Sequence, residues 1–308
     1  MDQVLNGVIP LGDDECRFDY KKLESVIKTL VEKKLRDENA IMADTTESVP
    51  TFVVATKGLH ADGPATLFRS YQCTGYNADK CAIWEAARAT SAAPTFFKPI
   101  KIKIPAPGGT FVDGGLTHNN PAELALSEAQ RIWSTVKRFC LVSIGTGRSK
   151  SVKIVDTNSY QLDGLRSKMA TLSLVWRRVA TGQTAITKIR KACVELASNS
   201  EPVHQRLFKV STSKDPEKRF PYHRFNVERD MHEIELQEWR QMDAIGEHTA
   251  TYMEEGEGET RRNQCVQDLM NPAPIQCKST PEKVPANNTS YLAVAVRFIS
   301  TQILFDAV

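Results

Sequence analysis

The order of apolar and polar positions divides this chain into an alternating strand-and-helix half and a mainly helical half. Leu23, Val26, Ile27, Leu30, Val31 and Leu35 recur at intervals of three and four, which predicts an amphipathic helix over 21–37. Short continuous apolar runs follow, "TFVVAT" at 51–56 and "TLFRSY" at 66–71, and each predicts a buried strand. "CAIWEAARATSAAP" at 81–94 predicts a helix of small residues that Pro94 stops. The alternation in "KPIKIKIP" at 98–105 predicts a strand, and "TFVDGG" predicts a short one after it. Asn119 or Asn120 can cap the next helix, with Pro121 in its first turn, where a missing N–H costs nothing. "RFCLVSIGTG" at 138–147 predicts a further strand that ends in a glycine turn. Beyond 150 the pattern predicts helices over 166–193 and near 233–253, and no internal repeat is visible. Apolar strands alternating with helices predict an α/β layered fold.

One position in this pattern is a candidate for chemistry. Asp113 ends a short apolar run, two glycines follow it at once, and a helix comes next. In open α/β sheets, working residues collect at the carboxyl ends of strands. Gly114 and Gly115 permit a tight backbone or the close approach of another group. Spacing alone also allows a plain structural role, since Asp often caps a turn through its own backbone.

Composition narrows the classes. The chain has 308 residues, enough for one large domain or two small ones, and a net charge of +3 that points to no nucleic-acid partner. The six histidines and seven cysteines form no metal-type spacing and no Cys-x-x-Cys pair, so neither a metal nor a cofactor is expected. The N-terminal "MDQVLNGVIPLGDDECRFDY" has acids where a signal peptide needs bases, which predicts a cytoplasmic chain with reduced cysteines. No run of about 18 apolar residues exists to span a membrane, and Arg297 interrupts the nearest approach, "YLAVAVRFISTQILFDAV".

Three motifs then occur in a telling order: "AARATSAAPTFF" at 86–97, "FVDGGLTHNNPAELALSEA" at 111–129 and "CLVSIGTG" at 140–147. In this order and spacing they resemble the patatin-like phospholipase family, and more narrowly its fungal members. "YHRFNVERDMHEIELQEW" at 222–239 extends the likeness, which runs over roughly 15–270. The resemblance implies a three-layer α/β/α sandwich and lipid acyl hydrolysis by a Ser–Asp dyad. It implies that Asp113 is the dyad base, flanked by Gly114 and Gly115, and that the partner is a lipid acyl ester substrate or a membrane surface. The chemistry suits such a residue. A serine hydroxyl needs an adjacent base, and a positioned, partly desolvated carboxylate can take its proton.

The chain departs from the family pattern in its nucleophile. The serine belongs in a Gly-x-Ser-x-Gly elbow, and no serine of this sequence has glycine at both flanking positions. Ser143 and Ser149 come nearest, with one glycine each. The glycine-rich oxyanion loop is absent from these 308 residues as well. The expectation is therefore that residues 1–270 are the later portion of a patatin-like domain, without its N-terminal strand and nucleophile helix. Residues 271–308 read as a tail, flexible with a short apolar C-terminal segment. Such a chain is expected to be inactive alone. The alternatives are a non-catalytic pseudoenzyme or interaction module, and a truncated fragment without independent function.

The remaining features read as structural. His118 is expected to be a turn residue and Arg88 a brace against nearby carboxylates. "GTGRSK" at 145–150 lacks the full spacing of a phosphate loop. The basic amphipathic stretch 169–191 fits a helix packed on the core, with a membrane-surface element as the alternative.

Overall fold

A computed structural model describes residues 16, 18–44, 49–58, 65–94, 96–103, 108–136, 139–147, 200–215, 219–227, 239–270 and 292–297. The predicted helix over 166–193, the stretch 169–191 within it and the tail over 271–290 lie outside the described residues.

The first helix, α1 (Tyr20–Leu35), begins where the Asp19 side chain accepts the Lys21 backbone N–H at 2.9 Å and ends where Arg36 turns left-handed at φ 61°. Leu23, Ile27 and Val31, spaced by four, are its buried stripe. Strands β1 (Phe52–Lys57) and β2 (Thr66–Arg69) pair antiparallel, with Val54 opposite Leu67. The helix α2 (Ile83–Thr90) is shorter than the apolar pattern predicts. The chain leaves helical geometry before Pro94, and the Ala92 carbonyl, which has no partner within the helix, accepts the Asp113 N–H at 3.0 Å. Strand β3 (Ile100–Ile102) and strand β4 (Gly109–Asp113) complete a four-stranded sheet in the order β2-β1-β4-β3, antiparallel throughout.

After β4 come the single turn α3 (Gly115–His118) and the helix α4 (Ala122–Ile132). Pro121 takes the N-cap position of α4, and Asn120 just before it accepts the Ala122 N–H through Oδ1 at 3.3 Å. Strand β5 (Phe139–Ile144), helix α5 (Glu201–Ser211) and strand β6 (Tyr222–Phe225) follow. The helix expected near 233–253 is α6 (Met242–Glu254), entered through a short 3-10 turn at Trp239–Gln241. A further helix, α7 (Gly256–Met270), follows directly, and strand β7 (Leu292–Arg297) forms within the apolar C-terminal stretch. The second sheet has the order β6-β5-β7 and is parallel, with Ser143 opposite both Arg224 and Val296. The fold is α/β, as expected. No helix among the described residues is long and apolar enough to cross a membrane.

Three apolar clusters hold these elements. Ala55, Phe68, Ile100, Ile102 and Phe111 of the first sheet pack with Ala86 and Ala89 of α2, and Phe68 meets Phe111 edge-to-face at 5.2 Å. The alanines let α2 lie close to the strands, and each buried Phe contributes about 1.5–3 kcal/mol. The stripe of α1 packs with Phe18 and Phe97. Ala122 and Ala125 of α4 join Leu141, Leu207 and Tyr222, with Phe52 of β1 against them, so α4 lies against both sheets.

Candidate active site

Asp113 is the last residue of β4, and its side chain is 7% exposed. In register it stands opposite Ala55 of β1, whose neighbour Thr56 reaches the Asp113 carbonyl at 3.3 Å through its hydroxyl. The turn after it is tight. A methyl group on Gly114 would overlap the Val54 carbonyl oxygen, so this position requires glycine for close approach rather than for an unusual backbone angle. That same carbonyl accepts the Thr90 hydroxyl at 2.7 Å, which fixes the end of α2 to the site.

The carboxylate is used on one side only. Asp113 Oδ1 accepts the Gly115 N–H at 2.7 Å, the turn cap that spacing alone allows. Among the described residues the second oxygen has no hydrogen-bond partner and no cation stands beside it. Burial raises the Asp113 carboxyl to about 7, with the Gly115 N–H pulling the other way. A carboxyl that titrates near neutral pH, with one oxygen uncommitted, suits a group that accepts a proton and returns it.

The other residues singled out in the sequence are structural where the structure describes them. The His118 Nδ1 lies 2.9 Å from the Thr117 hydroxyl, which lies 3.0 Å from that of Thr56, and burial holds the imidazole below its usual range. Arg88 is fully buried, its Nε 3.4 Å from Glu24, its Nη2 donating to the Lys98 carbonyl at 2.5 Å, and its plane near Tyr20 and Phe97. It is a brace, as expected. Ser143 is fully buried in β5, receives Arg224 Nη1 at 2.7 Å and reaches no base, so it is not a nucleophile. In the turn after β5, the Gly145 N–H goes to the Phe225 carbonyl and the Gly147 N–H to Asn226 Oδ1. Those two donors are spent within the protein and offer nothing to a phosphate. Ser149 lies outside the described residues. Cys73, Cys81, Cys140 and Cys265 carry free thiols, and no group of metal-ligating side chains occurs among the described residues.

Sequence reading missed two polar clusters. Glu128 of α4 is 2% exposed and accepts Arg69 Nε at 2.6 Å, Arg69 Nη2 at 3.0 Å, the Tyr71 hydroxyl at 2.8 Å and Arg131 Nη1 at 2.7 Å. The Arg69 and Tyr71 bonds tie α4 to the first sheet and its margin. The second cluster joins Asn120, Ser143, Ser200 and Arg224. Its one sequence signal is an arginine inside a short strand pattern, "YHRF", which is also compatible with exposure.

Comparison with known proteins places this geometry in context. Residues 8–126 match the sequence profile of the patatin-like phospholipase family. The human calcium-independent phospholipase A2-gamma is 29% identical over 154 residues, 48% of this chain and 19% of that protein. The Arabidopsis thaliana patatin-like protein 2 is 31% identical over 152 residues, covering 44% of this chain and 35% of that protein. The Arabidopsis thaliana phospholipase A I is 40% identical over a shorter stretch of 68 residues, 22% of this chain and 5% of that protein. The chain spans about a fifth of the length of the first curated relatives it matches. The family match takes in the first motif and the second up to residue 126, while the third, at 140–147, lies beyond it. Over 8–126, the stretch that builds the first sheet and places Asp113 at its corner, this chain is similar to patatin-like phospholipases.

Proposed function

We infer that this chain provides the base half of a lipid acyl hydrolase. Asp113 takes the proton of a serine hydroxyl as that oxygen attacks an acyl ester, then returns it to the leaving alcohol. The observation that carries this reading is the buried carboxyl at the end of β4, raised to about 7, with one oxygen uncommitted, inside the stretch similar to patatin-like phospholipases. The family resemblance supports a lipid ester as substrate and a membrane surface as its location. Gly114 and Gly115 support the turn that presents the carboxylate.

None of the serines within these 308 residues has the flanking of a Gly-x-Ser-x-Gly elbow, so in this reading the nucleophile is a serine that the 308 residues do not supply. Hydrolysis of a short-chain acyl ester by the 308-residue chain is expected to be absent. A protein extended by upstream coding sequence that carries such an elbow is expected to hydrolyse the ester and to lose this on Asp113→Asn. Hydrolysis that survives Asp113→Asn overturns the base assignment. Hydrolysis by the 308-residue chain alone overturns the placement of the serine.

The missing elbow favours one second reading, an interaction module that keeps the scaffold and performs no acyl chemistry. An upstream sequence that lacks the elbow, together with a cooperatively folding chain, would support it.

A further inference from the structure

The hydrogen bonds around Arg224 close into a ring across four elements. Arg224 of β6 donates from Nη1 to the Ser143 hydroxyl of β5 at 2.7 Å and from Nη2 to the Ser200 hydroxyl at the start of α5 at 2.9 Å. Ser143 Oγ lies 3.4 Å from Asn120 Oδ1, and Asn120 Nδ2 donates to the Ser200 carbonyl at 3.4 Å. Arg224 is 6% exposed, Asn120 2% and Ser143 fully buried.

Stability does not account for this arrangement. Arg224 has no carboxylate in hydrogen-bond contact among the described residues, its Nε has no partner, and burial lowers its pKa. A buried charge that no carboxylate hydrogen-bonds is costly even with the Glu201 charge nearby, and an apolar side chain of similar volume is often as stable or more so. What the ring does is geometric. Asn120 stands seven residues after Asp113 on one continuous turn. That turn is pinned to the first sheet through Thr56, which contacts the Asp113 carbonyl and the Thr117 hydroxyl. Asn120 pins its other end to the second sheet.

We propose that Asn120 and Arg224 are positioning residues for Asp113, holding the 113–120 turn between the two sheets so that the carboxyl stays shielded from water. This rests on the reading of Asp113 as the base and adds the residues that keep it so. Neither residue touches the reacting atoms. Both act through the backbone of the turn. With the ring opened, the turn loosens at one end, water reaches the carboxyl, and its affinity for a proton falls toward that of an ordinary aspartate.

The test reads the Asp113 titration directly, in the 308-residue chain, from carboxyl carbon NMR with Asp113→Asn as the assignment control. The wild-type group is expected near 7. Asn120→Ala and Arg224→Met are each expected to lower it by about one unit or more, a tenfold change in acid dissociation constant. Arg224→Lys, which can keep one of the two hydroxyl contacts, is expected to fall between. Ser143→Ala opens the ring with the smallest change in volume and stands in if a larger substitution fails to fold. Denaturant unfolding of each variant separates the two roles, because a purely structural ring changes stability and leaves the titration in place. A raised wild-type value that Asn120→Ala and Ser143→Ala leave unmoved in folded protein overturns the positioning role alone. An ordinary carboxylate value in the wild type overturns both the base assignment and the positioning built on it.

Discussion

Replacing Asp113 by Asn should make the protein more stable at alkaline pH and leave it unchanged at acid pH. The carboxyl rises from an ordinary 3.8 to about 7 in the folded state because its charged form is cut off from water. Between those two values the folded chain binds a proton that the unfolded chain has released, so stability falls as pH rises through this window. Above the window the full cost of a buried charge is present, and below it there is none. At about 1.36 kcal/mol per unit, the rise corresponds to a destabilisation on the order of 4 kcal/mol at pH 8. Asparagine is nearly isosteric, its amide oxygen can still accept the Gly115 N–H, and it has no charge to bury. The assay is urea unfolding of wild type and Asp113→Asn at pH 4 and pH 8, with equal slopes required for comparison. The variant should gain up to about 4 kcal/mol at pH 8 and close to nothing at pH 4. An equal change at both pH values, or a loss at pH 8, refutes the account of a strained, desolvated carboxylate. A gain in stability on removing a functional group is the usual mark of a site held against its own preference.

Two further substitutions test the surrounding scaffold. Glu128→Ala leaves Arg69 and Tyr71 without their buried acceptor, which should cost about 3–5 kcal/mol in denaturant unfolding, and a loss under about 1 kcal/mol would show that water reaches the pair. Gly114→Ala drives a methyl group into the Val54 carbonyl, backbone that cannot swing aside; an overpacking cost of about 1–3 kcal/mol is expected, and unchanged stability would mean that the turn is looser than the contact indicates.

Much of the framework is legible along the chain. The apolar spacing of four in α1 matches its buried stripe of Leu23, Ile27 and Val31, because helix geometry alone fixes which positions share a face. Ala86 and Ala89 announce a helix that lies close to a sheet, and Asn120 followed by Pro121 announces the start of α4. A carboxylate with two glycines at a strand end marks Asp113 as the residue to examine, and three motifs in order point to the family whose profile matches 8–126. These features are local, and local geometry is what sequence spacing encodes.

The rest required distant parts of the chain to meet. That the first sheet is antiparallel and the second parallel depends on which strands pair, and an apolar run does not state its partner. That the Ala92 carbonyl beyond α2 accepts the N–H of Asp113, more than twenty residues away in sequence, is likewise decided by the fold. In the sequence Arg224 is one basic residue of "YHRF"; only the packing of β5, β6 and α5 makes it a buried cation that joins Ser143 and Ser200. Asp113 itself shows the division most clearly. Sequence determined its place at a tight corner and the Gly115 cap that follows from it. The tertiary structure decided that the carboxyl is buried there and that the second oxygen is left uncommitted, because desolvation is a property of everything packed around the group and of nothing beside it in the chain.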